Sequence, residues 1–122
     1  MDASTPHSTT NDALRQRLGV TEAQLADFCR RWKITELAVF GSSLRNDFRP
    51  DSDVDLLVQF APDAEWGLMA LARLERELEH LLRREVDVLT RGGVEASKNW
   101  IRREAILSTA QPIISRRAHQ ER

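Results

Sequence analysis

The sequence predicts a small α/β (α+β) domain, a mixed β-sheet with helices packed on one face. Three apolar runs of strand length, residues 36–40, 54–60 and 85–89, are each bounded by turn residues. Between the second and third, residues 66–84 carry leucines at helical spacing. The order helix, strand, short helix, strand, long helix, strand, helix is an α/β pattern.

At 122 residues the chain has the size of one ordinary domain, and at 41% hydrophobic content it can build a core. A net charge of −1 argues against nucleic acid as a direct partner, because the arginines are interleaved with glutamates and no strong positive field results. The single cysteine, Cys29, excludes an internal disulfide and reads as a core or boundary thiol. No apolar segment approaches the roughly 20 residues of a membrane span. The first residues lack a charged-then-apolar signal pattern, so a cytoplasmic protein is expected.

Residues 1–10 read as a flexible polar tail, 11–115 as one domain and 116–122 as a charged tail. Asn11 or Asp12 can cap a short helix through Leu18, ended by Gly19. Thr21 and Gln24 have the form of a capping box, and Leu25, Phe28 and Trp32 follow at helical spacing, so residues 22–32 form a helix. The first strand runs over 36–40. Residues 42–46 form a short helix and 49–52 a turn. In the second strand Val54, Leu56 and Val58 face one side; Asp53, Asp55 and Leu57 face the other.

The helix over 66–84 presents Leu68, Leu71, Leu74, Leu78 and Leu81 as one stripe. His80 is read as a surface residue. The third strand turns Val86 and Val88 to the core, which leaves Asp87 on the side of Asp53 and Asp55. Residues 91–93 read as a loop. A last helix over 97–109 carries Trp100, Ile101, Ile106 and Leu107 on an apolar face, and residues 112–114 add a short extended segment.

The stretch from Phe40 to Asp55 organises the chain. An apolar strand stops at Gly41-Ser42, where a tight turn can aim backbone N–H groups at a phosphate. Ten residues later, Asp53 and Asp55 open the next strand on one face. Two like charges so placed are costly unless a cation or water lies between them. Oxygen donors of this kind suit a hard divalent ion, and magnesium works with few carboxylates plus substrate phosphates.

Gly41-Ser42 followed by Asp53-x-Asp55 resembles the signature of the polymerase-beta-type nucleotidyltransferase superfamily, over about residues 37–89. The small size resembles the minimal nucleotidyltransferases, including the antitoxins of HEPN-type toxins. The resemblance implies a nucleotidyltransferase-like core, ATP as substrate and two Mg2+ ions. It implies catalytic and metal-binding roles for Asp53, Asp55 and Asp87, and nucleotide contacts for Gly41, Ser42, Ser43 and Arg45. It implies transfer of AMP to a hydroxyl of a protein acceptor, with a HEPN-type ribonuclease toxin as partner. Two other readings stand beside it: a binding antitoxin that occludes its toxin without turnover, and a nucleotidyltransferase with a small-molecule acceptor. Only 33 residues follow the third strand, so the acceptor is expected on another macromolecule or on another copy of the chain, which leaves a homo-oligomer open.

Overall fold

The computed structural model describes residues 13–41 and 53–115. The two tails, the helix over 42–46 and the turn over 49–52 expected from the sequence lie outside the described residues, as do Ser42, Ser43 and Arg45.

Helix α1 (13–18) ends at Gly19, whose φ of +72° is the left-handed conformation that closes a helix. Helix α2 (Glu22–Trp32) starts with the expected capping box: the Thr21 hydroxyl accepts from the Gln24 N–H, and the Gln24 side chain accepts from the Thr21 N–H. Strand β1 (Ile34–Phe40) runs antiparallel to β2 (Val54–Phe60). Helix α3 (Leu68–Leu82) crosses over to β3 (Val86–Thr90), which lies parallel to β2. The short α4 (Arg91–Glu95) and α5 (Trp100–Thr109) then return the chain to β4 (Gln111–Ser115), antiparallel to β1. The sheet order is β3-β2-β1-β4. Pro112 sits in an edge strand, where a missing N–H costs no ladder bond.

The larger core lies on one sheet face. Leu37, Val39, Val54, Leu56, Val58 and Ile113 meet Leu25 and Phe28 of α2 and Leu74, Leu78 and Leu82 of α3. Burial of each such leucine contributes roughly 1.5–3 kcal/mol. Cys29 is a buried core thiol, as expected, and His80 is exposed. Arg15, buried itself, donates to the Ile113 carbonyl at 2.6 Å and ties α1 to β4.

A smaller cluster on the second face joins Ala38, Phe40 and Leu57 to Val94 and Ile106. Thus α4 and α5 add a partial layer opposite the main helices. No helix among the described residues is long and apolar enough to cross a membrane.

Several local expectations are corrected. Residues 91–93 are not a loop: the Thr90 hydroxyl accepts from the Gly93 N–H and starts a helix that Val94 anchors in the second cluster. The last helix begins at Trp100, because Asn99 caps it by accepting from the Arg102 N–H. Its first turn is not an apolar face, since Trp100 and Ile101 are 63% and 65% exposed and only Ile106 is buried. Trp66 precedes α3 and stacks edgewise on Trp32 at 5.0 Å, donating its indole N–H to the Trp32 carbonyl. Leu68 and Met69, at 85% and 80% exposed, lie outside the core that the later leucines enter.

Candidate active site

The ends of β1, β2 and β3 bring three of the predicted residues together. Phe40 pairs with Asp55 across β1 and β2, and Asp55 pairs with Asp87 across β2 and β3. Paired positions on neighbouring strands project to the same face, so Asp55 and Asp87 stand side by side. The Val54 N–H donates to the Glu85 carbonyl at 3.0 Å and holds this level of the two strands together. Asp53, just ahead of β2, lies within electrostatic reach of Asp55.

Gly41 follows Phe40 with φ +70°, a conformation that L side chains rarely adopt. A Cβ at this position would lie 2.7 Å from Asp55 Oδ2. The glycine therefore does two things: it turns the chain out of β1, and it leaves the Asp55 carboxylate its space. The spacing in the sequence announced the turn but not this contact.

Asp55 is half-buried, while Asp53 and Asp87 are exposed. Burial raises the Asp55 pKa above the ordinary carboxylate range, and the charges of Asp87 and then Asp53 push it the same way. The Arg102 guanidinium opposes this. Arg102 extends from the first turn of α5 and lines a cleft of about 380 Å3 with Val88, Leu89, Val94, Ser97 and Ile106. Nothing in the sequence singled out Arg102; only the return of α5 over the second face brings it near Asp55.

Among the described residues no group of three or more His, Cys, Asp or Glu side chains is arranged to hold a metal ion by itself. The donor set is an open carboxylate edge. Such an edge fits magnesium held jointly with substrate phosphates, because its donors are hard oxygens and their mutual repulsion favours a cation. The space kept clear beside Asp55 is consistent with the same use.

β2 and β3 set Asp55 and Asp87 abreast beside the Gly41 turn, and the comparisons give the family to which this arrangement belongs. The nucleotidyltransferase domain family matches residues 22–111. The chain belongs to that family and is a nucleotidyltransferase. It is similar to MJ0435, a candidate protein adenylyltransferase of Methanocaldococcus jannaschii, with 39% identity over 74 residues, 60% of this chain and 77% of that protein. It is also similar to a solved structure described as a minimal nucleotidyltransferase, with 34% identity and a TM-score of 0.57 over 82% of this chain and 92% of that one. A complex of a tri-AMPylated Shewanella oneidensis HEPN toxin with an MNT antitoxin shares the fold at 14% identity, with a TM-score of 0.54 over 88% of this chain and 77% of that one.

Proposed function

We propose that this chain transfers AMP from ATP to a hydroxyl of a protein acceptor, with magnesium, and that it acts in the cytoplasm as antitoxin to a HEPN-type ribonuclease toxin. The observation that carries the reading is the register of Asp55 against Asp87 beside the space that Gly41 leaves open. The family, the adenylyltransferase relative and the fold shared with the HEPN–MNT complex support it.

In this reading the acceptor oxygen attacks the α-phosphorus of ATP. The bond from that phosphorus to the bridging oxygen breaks, and pyrophosphate leaves. Asp53 and Asp55 would hold the magnesium ions with the triphosphate, and Asp87 would bind the ion that activates the acceptor. Bound magnesium supplies charge stabilisation to the entering and leaving oxygens. Asp87, exposed on β3, would also assist removal of the acceptor proton. Gly41 admits the phosphates close to the backbone, and Ser42, Ser43 and Arg45 contribute donors to them.

The test is co-expression with a HEPN-type toxin, followed by intact mass measurement of the toxin. Additions of AMP-sized mass that disappear with the Asp53→Asn, Asp55→Asn double variant are expected. An unmodified toxin, held inactive equally well by the double variant, would make the chain an occluding antitoxin instead.

A further inference from the structure

The chain carries three arginines along the two clefts that flank β3 and α4: Arg91, Arg102 and Arg103. Two are committed. Arg91 pairs with Glu95 at 3.1 Å. Arg103 turns back to donate to the Ser97 carbonyl at 2.9 Å. The Arg102 side chain makes no hydrogen bond or ion pair with the described residues, yet it lines the cleft with Val88, the residue after Asp87, and its charge reaches Asp55.

Its backbone is fixed. The Arg102 N–H donates to the Asn99 side chain at 3.1 Å, and one turn later Ile106 is buried against the cluster that contains Phe40 and Leu57. These are the β1 and β2 residues flanking Gly41 and Asp55. The helix therefore holds the Arg102 guanidinium in the cleft beside Val88, the residue after Asp87, with its charge acting on Asp55.

We propose that Arg102 binds the phosphates of the nucleoside triphosphate, so that α5 forms part of the nucleotide site. This rests on the nucleotidyl-transfer reading above. The physical case is charge and shape. A triphosphate brought to an edge carrying Asp53, Asp55 and Asp87 meets strong repulsion, which bound cations relieve only in part. A planar guanidinium can donate two parallel hydrogen bonds to phosphate oxygens, and it stays charged at every working pH. The neutral hydroxyl of an acceptor offers it no comparable partner.

Calorimetry on the full chain tests this with magnesium and α,β-methylene-ATP, which cannot donate AMP, and separately with adenosine. Arg102→Ala should weaken α,β-methylene-ATP about tenfold or more, the loss of a charge-assisted hydrogen bond, and leave adenosine affinity unchanged. Arg102→Lys should recover part of the loss and also serves if the alanine variant folds poorly. Triphosphate affinity within about twofold of wild type in both variants would overturn the proposal. So would equal losses for adenosine and triphosphate, or a change confined to the KM of the acceptor. A wild-type chain that binds no triphosphate overturns this and the functional reading together. Intact triphosphate binding without any AMP transfer overturns only the latter.

Discussion

The Cβ that Gly41 lacks would stand 2.7 Å from Oδ2 of Asp55. One residue's missing side chain is another's working space. Two strands meet at this point, and the contact joins the turn and the carboxylates into one unit.

Gly41→Ala should therefore injure both stability and binding. The left-handed backbone costs a β-carbon about 1–2 kcal/mol, and the Asp55 carboxylate must move as well. Denaturant titration should show a loss of about that size, and calorimetry should show weakened binding of magnesium with α,β-methylene-ATP. Gly41→Val should be worse on both counts. A variant with unchanged stability and unchanged affinity would contradict the contact.

Asp55→Asn should raise thermal stability at neutral pH while abolishing AMP transfer. Burial, then Asp87 and Asp53, raise the folded-state pKa of Asp55. The folded chain thus holds the Asp55 proton more tightly than the unfolded chain does. Above the folded pKa, ionised Asp55 opposes folding; as pH falls through it, protonation removes that penalty. The advantage of asparagine should shrink over the same fall in pH. Melting curves of both proteins from about pH 8 down to pH 4 check the sign, and a lower melting temperature for the variant at neutral pH would reverse it.

Glu77 predicts the opposite slope. Burial raises its pKa, but hydrogen bonds from Arg31 and from the Trp32 indole, helped by the Arg31 charge, outweigh that and leave it below the ordinary range. The stability it supplies is present above the unfolded-state pKa and is lost as pH falls through the folded one. Glu77→Gln should cost about 1 kcal/mol at neutral pH, a value reduced by solvent exposure, and the two proteins should converge in acid. Parallel melting curves across that range would show that the charge contributes nothing.

Asp87→Asn should separate chemistry from nucleotide binding. Asp87 is exposed on β3 with Asp55 beside it, so its loss removes no core packing. The variant should melt no lower than wild type and bind α,β-methylene-ATP, while kcat for AMP transfer falls by about a hundredfold or more. Full turnover by the variant would remove Asp87 from the proposed mechanism.

Much of this architecture was legible in the chain. Strand alternation assigned Val54, Leu56 and Val58 to one face and Asp55 to the other, and the leucine spacing announced α3. These are local properties: a period of two or 3.6 leaves its mark on adjacent residues. The capping box at Thr21 and the stop at Gly19 were readable for the same reason, since caps are satisfied within a few residues.

The rest depended on distance in space. Glycines 92 and 93 looked like a loop until Thr90 capped them and the second cluster gave Val94 somewhere to pack. Trp100 and Ile101 looked like core, but burial depends on which helix face meets the sheet, and α5 turns Ile106 inward instead. Sequence alone determined which residue types could form a phosphate turn and a carboxylate set. Tertiary structure decided that Asp87 stands opposite Asp55, that Gly41 clears room for it, and that Arg102 arrives from α5. Strand register and helix return are set by packing between segments dozens of residues apart, and no local pattern encodes them.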